Sequence, residues 1–261
     1  MSRTMRVASW NVNGLRAATR KGFLGWLETA DADIVGVQEV RALPEQLAEE
    51  VRAPDGWHTT FAAAEKKGYS GVGLYSREPP DEIITSLGSP SLDREGRVQL
   101  ARFRDLLVVN AYFPNGSGPN RDHSRVPYKL RFYRTLHRRL AAEMAAGKKV
   151  LVMGDFNTAP YDIDLARPKQ NHKTSGFLPK ERKELVRWLK SGFVDTFRMF
   201  EDEGGHYTWW SNRKGVRERN VGWRIDFALA SPALAPSIST ARIHADVMGS
   251  DHCPISVDIA P

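Results

Sequence analysis

The run Val150-Leu151-Val152-Met153-Gly154-Asp155-Phe156-Asn157 constrains this chain more than any other. Val, Leu and Met between Lys149 and Gly154 read as a short buried strand. Such a strand holds rigidly whatever follows it, and here an acid, an aromatic and an amide follow. Thr158-Ala159-Pro160 then ends regular structure. Asp155 and Asn157 are two apart, so an extended backbone points them the same way. One can take a proton and the other can donate to an anion. Alone, Asp155 reads equally well as a residue that shapes the turn.

The same pattern recurs along the chain. Residues 5–10 read as a strand running into the turn Asn11-Val12-Asn13-Gly14. Ile34 to Glu39 is a second apolar strand with a carboxylate at its end. Leu106 to Phe113 is another, ending in Tyr112-Phe113-Pro114-Asn115. Strands are also expected at His58–Ala64, Gly71–Ser76, Glu82–Leu87, Val98–Phe103, Tyr207–Trp210, Trp223–Ala230, Ala241–Val247 and Ile255–Ile259. Helical spacing predicts helices over 15–28, 44–52, 127–146 and 179–190, with an ordered loop over 159–178. Several strands follow one another without helices between them. That favours two mixed or mostly antiparallel sheets packed face to face with helices outside. No linker interrupts the pattern, so residues 1–261 are read as a single domain.

Composition narrows the chemistry. The one cysteine, Cys253, excludes an internal disulfide framework and a Cys-based zinc site. No apolar run approaches bilayer-spanning length. The stretch Met1 to Arg6 has no apolar core of a signal peptide, so a cytoplasmic protein is expected. The formal charge is +7. Residues 167–190 carry eight Lys or Arg against two acids, and 212–224 carry five against one. Basic loops interleaved with Tyr207, Trp209, Trp210 and Trp223 suit a nucleic acid.

The polar residues at strand ends and turns are Asn11, Glu39, Tyr112, Asn115, Asp155, Asn157, Asp226, Asp251 and His252. No Gly-rich nucleotide loop and no zinc helix accompany them. Carboxylate-rich ligands without cysteine suit Mg²⁺ or Mn²⁺. A metal beside His and Asp is what phosphodiester hydrolysis needs.

Seven motifs now stand in order. They are Ser9-Trp10-Asn11-Val12-Asn13-Gly14-Leu15-Arg16, Val37-Gln38-Glu39, Asp93-Arg94-Glu95-Gly96-Arg97, Tyr112-Phe113-Pro114-Asn115, Gly154-Asp155-Phe156-Asn157, Asn220-Val221-Gly222-Trp223-Arg224-Ile225-Asp226 and Ser250-Asp251-His252-Cys253-Pro254. Together they resemble the exonuclease III-like apurinic/apyrimidinic (AP) endonucleases of the endonuclease/exonuclease/phosphatase superfamily. The resemblance runs from about residue 5 to 259. Gly-Asp-x-Asn and Ser-Asp-His mark only the superfamily. Asn-Val-Gly-Trp-Arg-Ile-Asp, with Asp162-Ile163-Asp164-Leu165 and Ser175-Gly176-Phe177, points to its DNA-repair branch.

The resemblance implies an α/β fold, the four-layer α/β sandwich of deoxyribonuclease I-like proteins. It implies incision 5′ to abasic sites in duplex DNA, with 3′-phosphodiesterase and 3′→5′ exonuclease activity as companions. Mg²⁺ is the expected cofactor, with Mn²⁺ able to substitute. The expected substrates are double-stranded DNA carrying abasic sites or blocked 3′ ends, met by a monomer with no membrane association. By similarity the metal residues are Asn11, Glu39, Asp155, Asn157, Asp251 and His252. The catalytic set is Tyr112, Asp155, Asn157, Asp226 and His252. Arg41, Asn115, Trp209, Trp223 and Ile225 contact the substrate, the last three forming the apolar pocket for a flipped-out abasic sugar. Two positions depart from the pattern. Asn13 stands where some relatives carry a metal-side Asp. Arg41 stands where a Lys is common, keeping charge but changing geometry.

Overall fold

The computed structural model describes residues 3–120 and 122–261. Met1, Ser2 and Arg121, which belong to the N-terminal stretch and the 115–126 loop, lie outside them. In chain order the first half forms β1 (Met5–Asn11), α1 (Leu15–Thr19), α2 (Phe23–Thr29), β2 (Ile34–Gln38), α3 (Glu49–Arg52), β3 (His58–Ala62), β4 (Val72–Ser76), β5 (Glu82–Ile84), α4 (Pro90–Asp93), β6 (Val98–Phe103) and β7 (Leu106–Tyr112). The second half forms α5 (Val126–Ala145), β8 (Lys149–Asp155), α6 (Pro168–Asn171), α7 (Pro179–Lys190), β9 (Val194–Asp195), β10 (Trp209–Trp210), β11 (Gly222–Trp223), β12 (Asp226–Ala230), β13 (Ile238–Ile243) and β14 (Ile255–Ile259).

Two six-stranded sheets result, ordered β13-β14-β1-β2-β4-β3 and β5-β6-β7-β8-β12-β9. Each is antiparallel except for one parallel pair, β1–β2 in the first and β7–β8 in the second. Val7, Leu74, Val108, Leu151, Met153, Ala228 and Val257 belong to the core cluster shared by the two sheets. Outside the second sheet, Tyr133, Leu136 and Leu140 of α5 and Leu185 and Trp188 of α7 pack on Val109, Val150, Val152 and Phe156. Outside the first, Leu15 and Ala18 of α1 with Phe23 and Leu27 of α2 cover Trp10, Val35 and Val37. The expected order, helix, sheet, sheet, helix, is the one observed.

A polar seam runs through the middle of this core. Gln38 Nε2 donates to Ser9 Oγ (2.9 Å) and to Asn110 Oδ1 (2.7 Å). Asn110 Nδ2 donates across to the Gly73 carbonyl (2.8 Å) and to Gln99 Oε1 (3.0 Å). These bonds join residues of both sheets beneath the strand ends, so sliding one sheet over the other would strand buried polar groups.

Several elements differ from their sequence-based extents. The helix expected over 15–28 is two helices, because Gly22 takes a left-handed φ of +101° between them. The helix expected over 44–52 is a 3₁₀ turn at Pro44–Gln46 followed by α3. Trp223–Ala230 is not one strand: Trp223 pairs with Trp209 in a two-stranded ribbon, while Asp226 opens β12 in the second sheet. The strand expected at Ala241–Val247 lies earlier, at Ile238–Ile243. Asp155 and Asn157 are not joined by extended chain either, since Asn157 has a φ of +50°.

Gly154 shows how tightly the central strand is held. Its φ is +140°, and a Cβ there would lie 1.9 Å from the Ala111 carbonyl oxygen. Gly154→Ala is therefore expected to destabilise the fold by about 3 kcal/mol or more. Denaturant titration checks this, and an unchanged midpoint would contradict the packing described.

Candidate active site

Parallel neighbours finish on the same side of a sheet, so β1 and β2 present Asn11 and Glu39 together. β7 and β8 do the same with Tyr112 and Asp155, which are register partners. β12 runs antiparallel to β8, so its first residue, Asp226, sits opposite Asp155. The turn before β14 adds Asp251 and His252. Nine strand-end residues scattered through the sequence thus meet on one rim.

That rim is the floor of a cleft of about 340 Å³. Glu39, Arg41, Tyr112, Asn115, Asp155, Asn157, Trp209, Trp223, Ile225, Asp251 and His252 line it. Asn11 and Asp226, the two remaining predicted site residues, lie behind it and hydrogen-bond to residues that do. Asn11 Nδ2 donates to Glu39 Oε2 (3.1 Å) and to Asp155 Oδ2 (2.9 Å). Its Oδ1 accepts from the backbone N–H of Asn13 (3.0 Å), which fixes the amide's orientation. Asn11 therefore aims both amide hydrogens at carboxylates rather than an oxygen at a metal.

Asp155 collects donors. Asn157 supplies its backbone N–H to Oδ1 (2.7 Å) and its Nδ2 to Oδ2 (3.0 Å). Asn115 Nδ2 in turn donates to Asn157 Oδ1 (3.0 Å). Even so, burial and the nearby charge of Asp226 push the Asp155 carboxyl well above its ordinary range, with His252 only partly offsetting them. Asp226 Oδ2 accepts from His252 Nδ1 (2.8 Å) and from Thr208 Oγ1 (2.6 Å). Burial alone would lower the His252 pKa, but the Asp226 charge and hydrogen bond outweigh it, and the imidazole stays protonated well above its usual range. His252 Nε2 lies 3.9 Å from Asp155 Oδ2.

Asp251 is held ionised. Burial opposes its charge, yet the neighbouring imidazolium and donors from Asn13 Nδ2 (2.7 Å) and Trp209 Nε1 (3.1 Å) bring its pKa down. Asn13 thus gives Asp251 a neutral donor where an Asp would add a repelling charge. Arg41 holds Glu39 through Nε (2.9 Å) and Nη2, a two-point contact that a Lys cannot make. Burial and the Glu39 charge raise the Tyr112 hydroxyl well above its ordinary value, so it remains a proton donor.

Oxygen donors crowd this floor. Asp155, Asp226 and His252 offer atoms all within 4.8 Å of one another, and Asp226 Oδ1 is buried with no hydrogen-bond partner. Glu39, Asp155 and Asp251 add hard carboxylate oxygens along the cleft, a donor set that suits a divalent cation. With Asp226 sustaining its charge, the imidazole is placed as a protonated donor, Nδ1–H to Asp226 and Nε2–H toward Asp155.

The apolar wall comes from the β10–β11 ribbon. Trp209 and Trp223 meet edge to face with centroids 6.3 Å apart, and Phe177 and Leu165 pack with Ile225 beside them. Some of the basic charge read from the sequence does not reach this surface. Arg224 is 1% exposed and is paired with Asp164 and Asp195. Arg217 donates to the carbonyls of Ala245, Val247 and Ser250.

Four supporting residues escaped the sequence reading. Thr208 Oγ1 holds Asp226 and accepts the backbone N–H groups of Ile225 and Asp226. Arg97 is buried, bonds Glu95 and the Tyr112 carbonyl, and lies 4.5 Å over the Tyr112 ring. Lys129 and Glu181 form a fully buried pair. Lys129 Nζ donates to the Asn157 carbonyl (2.6 Å), and Glu181 accepts from Gly176 N–H (2.8 Å). Polar residues inside otherwise apolar helical stripes were the available signal for the last two.

The family model described as the Endonuclease/Exonuclease/phosphatase family matches residues 8–252. This chain belongs to that family. It is 41% identical to an exodeoxyribonuclease of Bacillus subtilis (strain 168), covering 98% of this chain and 99% of the relative. It is 38% identical to the DNA repair nuclease APEX1 of Danio rerio, covering 98% and 82%. The solved structure of a 3′ phosphatase, NExo, from Neisseria bound to a product DNA hairpin matches with a TM-score of 0.88 at 29% identity, over 98% of this chain and all 100% of that one. The fold is thus the deoxyribonuclease I-like sandwich that the motifs implied. Among the described residues no helix is long and apolar enough to cross a membrane.

Asp226→Asn removes the charge that sustains the His252 imidazolium while leaving its burial. The His252 pKa is expected to fall by at least one to two units, which NMR titration of the imidazole would show. An unchanged titration would contradict the pairing.

Proposed function

We propose that this protein is a divalent-metal-dependent DNA phosphodiesterase that incises 5′ to abasic sites and leaves a 3′-hydroxyl. Removal of 3′ blocking groups and 3′→5′ exonuclease activity belong to the same site. One observation carries the reading: two carboxylates share one buried amide beside a protonated His–Asp pair, directly under an aromatic pocket. The names of the relatives, an exodeoxyribonuclease and a DNA repair nuclease, support it. The protein is read as one domain over residues 1–261, acting as a monomer in the cytoplasm.

Glu39, Asp251 and Asp155 would hold Mg²⁺, or Mn²⁺ in its place, and the cation when bound would offset charge developing on the phosphate. The protein's own groups supply the rest. His252 Nε2–H donates to a phosphate oxygen, and Asp226 keeps it charged as it does so. Asp155 takes the proton of the attacking water, and the 3′ oxygen released as the P–O bond breaks takes up a proton from solvent as the 3′-hydroxyl. Tyr112 offers its hydroxyl as a donor, and Asn157 and Asn115 orient the phosphate. Arg41 holds Glu39 in place and adds positive charge at the cleft edge. Asn11 fixes the carboxylates relative to one another. Trp209, Trp223 and Ile225 receive the sugar that lacks a base, and their close packing excludes an intact nucleotide by size.

An oligonucleotide duplex carrying one abasic analogue tests this reading. Cutting 5′ to the lesion is expected with Mg²⁺ and none with EDTA. Asp155→Asn, Glu39→Ala and His252→Ala are each expected to lower kcat/KM by about 10²- to 10⁴-fold while the fold, read by circular dichroism, stays intact. Metal-independent cutting, or near-wild-type turnover in Asp155→Asn, would refute the proposal.

A further inference from the structure

Away from the cleft, α5 and α7 enclose a second groove of about 600 Å³ on the outer helical layer. Arg134 and Arg138 of α5 face it, as do Lys180, Lys183 and Arg187 of α7. Glu184 is the acid that lines it among the described residues, and it is only 5% exposed. Arg134 Nε donates to one of its oxygens (3.1 Å) and Arg187 Nε to the other (2.9 Å). A buried carboxylate thus clamps two guanidiniums that remain about half exposed, with side-chain accessibilities of 59% and 42%. Arg138, Lys180 and Lys183 make no ion pair among the described residues.

Arg134 and Arg187 neutralise the buried Glu184, but the packing of the helices does not need Arg138, Lys180 or Lys183, since Leu136, Leu140, Leu185 and Trp188 supply the apolar contacts below. Five cations around one acid repel one another and attract a polyanion. Arg187 spends Nε and Nη2 on Glu184 and meets His137 through Nη1, whereas Arg134 gives Glu184 only Nε, so its half-exposed guanidinium is held in a fixed direction with its Nη groups available to phosphate oxygens. Position selects the polyanion. Thr174, Ser175 and Gly176 line the cleft, and α7 starts three residues later at Pro179. Lys180, Lys183 and Arg187 then form one row, reaching about 10 Å along α7 at the helical rise per residue. The first cation of the row thus stands four residues along the chain from the cleft's edge at Gly176.

We propose that the α5–α7 groove binds the phosphodiester backbone of DNA outside the segment seated in the cleft. The inference rests on DNA being the cleft's substrate. Binding is measured by fluorescence anisotropy in EDTA, across a salt series, on undamaged duplexes. One duplex just covers the cleft and the other extends well beyond it. The variant Arg138→Glu/Lys180→Glu/Lys183→Glu leaves the Glu184 clamp intact. It is expected to bind the long duplex about tenfold or more weakly, with a log–log salt slope shallower by about 2 to 3. The short duplex should be bound, and cut when it carries an abasic site, as by the wild type. The corresponding triple Gln variant, a smaller perturbation, should show an intermediate loss at an unchanged melting temperature.

Equal affinity and slope for wild type and both variants on the long duplex would overturn the proposal. So would an equal loss on both lengths, which would put these cations at the cleft itself, or tighter capture of a Glu-rich peptide than of DNA. Binding is read without metal or cutting, so a negative result leaves the cleft's assignment standing. Failure of the wild type to cut the short abasic duplex would concern the cleft alone.

Discussion

Two parallel strand pairs, one near the middle of each sheet, govern the rest of this structure. Only parallel neighbours deliver two C-terminal ends side by side. Stacking the sheets face to face then sets the ends of β1 and β2 against those of β7 and β8. The buried amides of Gln38, Asn110 and Gln99 fasten the sheets directly beneath that meeting point. Acidic groups far apart in sequence therefore share one volume, and they do so before any substrate arrives.

Keeping them there opposes both electrostatics and backbone preference. Burial, and after it repulsion from Asp226, makes Asp155 hold its proton more tightly than an exposed acid would. Asn13, Glu39, Arg41 and Asn157 all sit at positive φ, between 46° and 60°. Asn tolerates that conformation through its short polar side chain, but Glu and Arg do not favour it. Strain of about 1 kcal/mol per such residue persists only where the surroundings over-determine the turn. Around Glu39 they do: Gly14 N–H donates to the Glu39 carbonyl and Val40 N–H to that of Gly71 (2.8 and 3.0 Å).

Much of this was legible in the residues. Strand ends rich in Asp, Asn and His are local signals, and β8, β14 and α7 fall where hydrophobic pattern and proline place them. Boundaries failed where tertiary contacts override local preference. Arg224 is a charged residue drawn inside by Asp164 and Asp195, and it breaks what reads as one strand from Trp223 to Ala230. Lys129 and Glu181 stand inside the apolar stripes of two helices and are fully buried, a sign of pairing that does not name the partner. No single-chain periodicity reports a partner fifty residues away. The orientation of the Asn11 amide was likewise invisible, because only the position of the Asn13 N–H decides it.

The rim's rigidity has a consequence for whatever enters it. The reactive groups stand at the ends of strands packed on both faces or in the turns beside them, and those turns are held by the bonds of Asn11, Thr208 and the Lys129–Glu181 pair. Such a surface does not mould itself to a visitor. The molecule that binds must do the bending, and a duplex already missing a base gives up less stacking in that motion than an intact one. Under the function proposed above, discrimination for abasic sites would then reside in the stiffness of the DNA as much as in any contact the protein makes.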